Sequence, residues 1–170
     1  MNSSFFIRRR SLALAAALGA SLTALGGCAG ADEAPPSRFV LLDGTTTTTA
    51  DLKGKVTLVN FWATTCVTCV KEMPDLAMTH EKFKGKGYET IAVAMSYDPP
   101  AYVANFAQTR QLPFKVALDN TGELAKNWGE VKLTPTSYLV DKQGRIVKRF
   151  VGEPDMGALH NLIEELLTKG

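Results

Sequence analysis

Residues 61–76 read FWATTCVTCVKEMPDL and hold two of the chain's three cysteines, Cys66 and Cys69, three positions apart. Such spacing serves half a metal site, a structural staple or a reversible redox pair. A closed zinc site takes four ligands, and beyond residue 28 the chain adds only His80 and His160 to the two cysteines. His80 lies eleven residues past Cys69 on the same expected helix, which carries it roughly 16 Å away. Both histidines are read as surface residues, and no metal site is expected. A disulfide closing so short a loop constrains little of the unfolded chain, because that effect grows with loop length. A working dithiol is the reading left.

Its position explains how it would work. The apolar run Val56–Phe61 is of the buried-strand kind, and a helical pattern runs from Cys66 to about Lys84. The pair therefore opens a helix, where backbone N–H groups favour negative charge. A thiolate at Cys66 in the first turn gains from this; thiol pKa values fall from about 8.5 to roughly 3.5–7.5 in such motifs. The i, i+3 spacing puts Cys69 on the same face within disulfide reach. Cys66 is assigned the attack on a substrate disulfide, and Cys69 the resolution of the mixed disulfide.

The rest of the chain must position that helix. Tyr88–Met95 reads as a second buried strand. The segment DPPAYVANFAQTR reads as a helix, with Asp98 as its cap and Pro99 or Pro100 in its first turn. A short strand at Phe114–Leu118 and a short helix at Gly122–Trp128 follow. Ser137–Val140 and Arg145–Val151 form a hairpin through Asp141-Lys142-Gln143-Gly144. Met156–Thr168 closes the chain as an amphipathic helix, with Leu159, Leu162, Ile163, Leu166 and Leu167 on one stripe. The threonine tract at 45–49 is read as a strand or hairpin arm. Strands alternating with helices imply an α/β fold, a mixed sheet covered on both faces.

The N-terminus carries a different message. Arg8, Arg9 and Arg10 precede SLALAAALGASLTALGG, uncharged and too short and mild for a comfortable membrane span. The pattern is that of an export signal over residues 1–27. It ends in LGGC, which resembles the bacterial lipobox and implies lipidation of Cys28, an anchor on a bacterial membrane. Arg9-Arg10-Ser11-Leu12 also resembles a twin-arginine signal, so the export route stays open. Residues 28–37 read as the lipidated cysteine and a flexible Pro-rich tether, and 38–170 as one domain. The full chain has 19 Lys and Arg against 17 Asp and Glu; losing three arginines leaves 16 − 17 = −1. Nothing basic then suggests a nucleic-acid partner.

VNFWATTCVTCVKEMPDL resembles the active-site segment of the thioredoxin fold. With DLKGKVTLVNFWA before it and LTPTSYLVDKQGRIV after it, most of residues 39–168 resemble the membrane-tethered TlpA/ResA-like thiol–disulfide oxidoreductases. The resemblance implies a thioredoxin fold with an N-terminal β extension and a central β-α insertion. It implies that Trp62 shields the disulfide and belongs to the substrate-binding surface, and that Pro74 bends the active-site helix. Thr134-Pro135 would be a cis-proline loop that pairs with an extended substrate. It further implies disulfide-containing exported proteins as substrates, a membrane thiol donor of the DsbD/CcdA type, and work in cytochrome c or copper-site maturation. No cofactor is implied.

Two departures stand out. Many thioredoxins carry a buried Asp where this chain has Asn60, which takes no proton; Glu72, three residues past Cys69, is the candidate base, as in the family. Val67-Thr68 replaces the common Gly-Pro, which leaves the direction of electron flow open. Two alternatives compete with this reading. A redoxin-type thiol peroxidase usually has Thr where Ala63 stands and an Arg nearby, and a copper chaperone would use both thiolates with His160.

Overall fold

Seven-residue strands buried on both faces form the centre of the sheet, because helices must cover both sides of parallel strands. The computed structural model describes residues 32–169, so the signal segment, Cys28 and the first part of the tether, through residue 31, lie outside the described residues. In chain order the elements are β1 Arg38–Leu41, β2 Thr46–Thr48, a 3-10 turn Thr49–Leu52, β3 Val56–Trp62, α1 Val67–Phe83, a second 3-10 turn Lys84–Lys86 and β4 Tyr88–Ala94. After these come α2 Pro100–Thr109, β5 Lys115–Leu118, α3 Glu123–Asn127, β6 Thr136–Val140, β7 Ile146–Val151 and α4 Met156–Thr168.

The strands form one mixed sheet in the order β2-β1-β5-β4-β3-β6-β7. β4 lies parallel to β3 and β5, while β6 runs antiparallel to β3 and β7. The β1–β2 arm and the α2–β5 segment are the expected extension and insertion, joined by β1 pairing with β5.

Side-chain alternation along β3 divides the core. Leu58 and Trp62 point to the face covered by α1, α2 and α4, where Cys69, Met73, Leu76, Val103, Leu159 and Ile163 are buried. Val59 and Phe61 point to the other face, against Phe39, Leu124 and Trp128. Each such large side chain stabilises the fold by roughly 1.5–3 kcal/mol. Asn60 shares the parity of Leu58 and Trp62, so a polar group is delivered to the α1 face. The α4 helix matches its expected bounds, with the carboxylate of Asp155 capping the Ala158 N–H at 2.7 Å. In the β6–β7 turn Gly144 takes a φ of 87°, the left-handed region that glycine adopts without strain.

Several expectations need correction. The tether is not free to residue 37: Asp32 O accepts from Ile146 N at 2.7 Å, Ala34 N donates to Gly144 O at 2.9 Å, and Trp128 Nε1 donates to Ser37 Oγ at 2.9 Å. The β6–β7 hairpin leaves backbone groups at its turn that this segment satisfies. Of the threonine tract, Thr46–Thr48 are strand, and Thr49 already belongs to the 3-10 turn. His80 is not on the surface: it is 6 % exposed, with Nδ1 3.3 Å from Thr90 Oγ1. His160 is half-buried with Nε2 2.8 Å from Thr79 Oγ1. Helix periodicity turned both inward, onto the aromatic rings of Phe114 and Phe83. Asp98 does not cap α2: Pro99 holds the cap position without a side-chain bond.

Candidate active site

Strand β3 ends at Trp62, and the chain turns sharply before α1. Cys66 N donates to Ala63 O at 3.1 Å, closing a four-residue turn. Cys66 itself is the N-cap of α1, one position earlier than the expected first turn, and its Sγ accepts from Cys69 N at 3.2 Å. The sulfur thus sits where the helix presents unpaired N–H groups, the place of most favourable potential for a thiolate. Thr68 Oγ1 lies 3.4 Å from the same sulfur. No acidic residue occupies the first turn of α1.

The two cysteines form a disulfide, with Cα atoms 5.2 Å apart. Cys66 is half-buried, whereas Cys69 is wholly buried. Of the two sulfur-bearing residues, only Cys66 is accessible from outside.

One helical turn past Cys69, Glu72 is also wholly buried. Its Oε1 accepts from Asn60 Nδ2 at 2.8 Å, and the same Nδ2 donates to Ser137 Oγ at 2.9 Å. Register explains this group: Asn60 pairs directly with Ser137 across β3–β6, so both side chains leave the sheet on one face beneath α1. Oε2 of Glu72 has no protein partner among the described residues. Burial pushes the Glu72 carboxyl up from its ordinary 4.5 to about 7; the Asn60 bond opposes this, and the charges of Glu153 and Asp75 add to it. A carboxyl poised there gives and takes a proton at neutral pH.

The Thr134–Pro135 bond is cis. Phe61 pairs with Thr136, so residues 134 and 135 run on past the end of β3, at the same end of the sheet as the cysteine turn. Pro135 is buried, its carbonyl accepting from Gly152 N at 2.8 Å; Thr134 is half-buried and Leu133 is 65 % exposed. Trp62 departs from its expected substrate role. It is wholly buried, packs in the core with Cys69, and meets Phe106 in a tilted ring contact with centroids 5.1 Å apart. It supports the disulfide from below and offers no surface to a substrate. Pro74 lies inside α1 as expected.

Sequence reasoning missed one residue and undervalued another. Asp98, after β4, accepts from Thr64 N and, at 2.6 Å, from Thr64 Oγ1, inside the cysteine turn. Its neighbours Pro99 and Pro100 mimic a helix start, and its true partner is 34 residues away, so no local signal marks it. Asn60 was read only as the loss of a base, yet it is the donor that orients Glu72.

Known proteins resemble this chain in sequence and in fold. The family model described as Redoxin matches residues 29–166. The thiol-disulfide oxidoreductase ResA of Bacillus thuringiensis subsp. konkukian (strain 97-27) is 37 % identical over 134 residues, covering 79 % of this chain and 76 % of the relative. The chain belongs to the Redoxin family. Within this family it is a ResA-like thiol–disulfide oxidoreductase of thioredoxin fold. Among solved structures, a putative thioredoxin from Neisseria meningitidis superposes with a TM-score of 0.76 at 38 % identity, covering 82 % of this chain and 93 % of that one. The pneumococcal exposed lipoprotein thioredoxin of Streptococcus pneumoniae strain TIGR4 gives 0.69 at 26 %, covering 77 % and 99 %. Among the described residues of this Redoxin protein, no helix is long and apolar enough to cross a membrane.

Proposed function

We propose that the Cys66–Cys69 pair reduces disulfides of exported proteins, with Glu72 as its proton carrier. One observation carries this reading: a buried carboxyl poised at about 7 lies one helical turn behind the buried Cys69. In the reduced enzyme the Cys66 thiolate attacks one sulfur of the substrate disulfide. That bond breaks, the other substrate sulfur leaves as a thiolate, and solvent protonates it. Cys69 then gives its proton to Glu72 and attacks Cys66 Sγ. The mixed disulfide breaks, and Glu72 returns the proton to the second substrate sulfur. Two electrons pass from the dithiol to the substrate, and Cys66–Cys69 is left oxidised. The backbone at Thr134, beside Pro135, pairs with the extended substrate segment.

The protein acts outside the cytoplasm, tethered by a lipid on Cys28. The charged-then-apolar leader and LGGC support this, as does the likeness to a protein described as an exposed lipoprotein thioredoxin. A membrane thiol donor of the DsbD/CcdA type would re-reduce the pair, and cytochrome c or copper-site maturation is the setting the sequence resemblance implies. Insulin reduction and the midpoint potential of Cys66–Cys69 test the reading. Turnover with a potential near about −270 mV supports a reductant, and one near about −120 mV an oxidant. A mature protein whose mass lacks an acyl group on Cys28 would overturn the tether.

A further inference from the structure

We propose that Asp98 is a positioning residue for Cys66, acting on it through Thr64 by geometry and by charge. The proposal rests on the reading that Cys66 is the attacking thiol. Strands β3 and β4 leave the sheet side by side: Trp62 pairs with Ala94, and Met95 N donates to Trp62 O at 3.0 Å. The loops that follow them therefore face each other. Asp98 is 4 % exposed, and its two carboxylate oxygens accept from the backbone N and the hydroxyl of Thr64. Thr64 is the first corner of the turn that the Cys66 N–H closes on Ala63 O. One carboxylate thus holds both donors of the corner residue, and the turn delivers Cys66 to the N-cap of α1.

The second consequence is electrostatic. Only Thr65 lies between Thr64 and Cys66, so their Cα atoms are at most about 7 Å apart. Among the described residues, no lysine, arginine or histidine forms an ion pair with Asp98. Its negative charge opposes a thiolate on Cys66, against the pull of the α1 N-terminus and Thr68. A less stable thiolate makes the dithiol a better electron donor. The central insertion, which supplies Asp98 at its root, thereby tunes the site it flanks. The other charged groups on the surrounding elements are Lys71 and Glu72 of α1, Arg110 after α2, Glu153 after β7 and the Glu130–Lys132 pair before Thr134. None of them is altered in the variants below.

The test uses the full chain, reduced, with iodoacetamide alkylation of Cys66 followed from pH 4 to 10 alongside insulin turnover. Asp98→Asn keeps an acceptor for Thr64 and removes the charge. The Cys66 midpoint should fall by about half to one pH unit, giving roughly three- to tenfold more thiolate below the midpoint. Thr64→Val keeps the charge and removes one anchoring donor. It should leave the midpoint unlowered and slow insulin turnover. A folded Asn variant with the wild-type alkylation profile would overturn the charge role, and full turnover in the Val variant would overturn the anchoring role. Turnover in wild type and none in Cys66→Ser fixes the underlying reading independently. If Cys66→Ser still turned over, that reading would fail whatever the Asp98 variants do.

Discussion

Replacing Glu72 by Gln separates the carboxyl's proton from its shape. Gln keeps the oxygen that accepts from Asn60 Nδ2 and cannot ionise. In the folded protein Glu72 titrates near 7, against an ordinary 4.5. Well below 4.5 it is protonated whether the chain is folded or not, and its titration has no effect on stability. Between the two values the unfolded chain loses the proton and the native one keeps it, so stability falls as pH rises. Above 7 the whole penalty is in place: a difference of 2.5 pH units at about 1.4 kcal/mol each comes to about 3 kcal/mol. No discount for solvent applies, since Glu72 is wholly buried. Urea unfolding of the oxidised protein and of Glu72→Gln should therefore diverge between pH 4 and 8.5, the variant gaining about 3 kcal/mol relative to wild type at the upper end. In melting temperature this is on the order of 10 °C. The m-values should match. A difference between the two proteins that is the same at both pH values would refute the argument, because Glu72 would then carry an ordinary pKa. In the reduced enzyme the same variant should lose an inflection near pH 7 in the resolving step, followed by stopped-flow release of substrate thiol.

Cys69→Ser should trap a mixed disulfide between Cys66 and insulin, visible as an added chain in a non-reducing mass spectrum, while Cys66→Ser should trap none. Asn60→Ala removes the one interaction that lowers the Glu72 midpoint. The inflection assigned to Glu72 should move further above 7, and stability should fall by about 1–3 kcal/mol from the lost buried hydrogen bond. Thr68→Val keeps the side-chain shape and deletes the hydroxyl 3.4 Å from Cys66 Sγ. Losing about 1 kcal/mol of thiolate stabilisation should make the pair more reducing by roughly 20 mV, measured against glutathione.

The elements were legible wherever one periodicity ran unbroken. Buried runs marked β3 and β4, the leucine stripe marked α4, and Asp141–Gly144 marked the hairpin, because each is decided by neighbours in sequence. The dithiol was legible too, since cysteine spacing, strand and helix start coincide within one short stretch. What could not be read depends on register. That Asn60, Glu72 and Ser137 meet follows from β6 pairing with β3 at Asn60↔Ser137, a partner 77 residues away. Asp98 was assigned to its nearest helix because capping is the commonest local use of Asp before such a start. His80 and His160 were placed outside because a lone polar residue carries no sign of which helix face it occupies. Trp62 was given to the substrate by resemblance, but its parity with Leu58 turns it into the core.

Placed together, these groups bear on the question that Val67-Thr68 raises. Val67 is 82 % exposed, so its β-branched side chain faces solvent and incoming partners. Poise is set by what surrounds Cys66. The α1 N-terminus, the Cys69 N–H and the Thr68 hydroxyl favour its thiolate, and thereby an oxidant. The carboxylate of Asp98 works against that thiolate from the β4 side, and Glu72 works on Cys69 from within the core. A helix N-terminus contributes about 0.3–1 kcal/mol to a partly exposed charge, up to about 2 when it is sheltered. The Asp98 carboxylate, held on Thr64 two positions before Cys66, acts with the opposite sign. Between these opposed effects, the protonation of Glu72 tips the balance. While it holds a proton, it adds no negative charge behind the resolving thiol. Once ionised, it accepts the Cys69 proton readily, because protonation relieves the penalty that burial places on its charge. The pair should therefore donate electrons most readily close to the pH at which Glu72 is half-protonated, about 7.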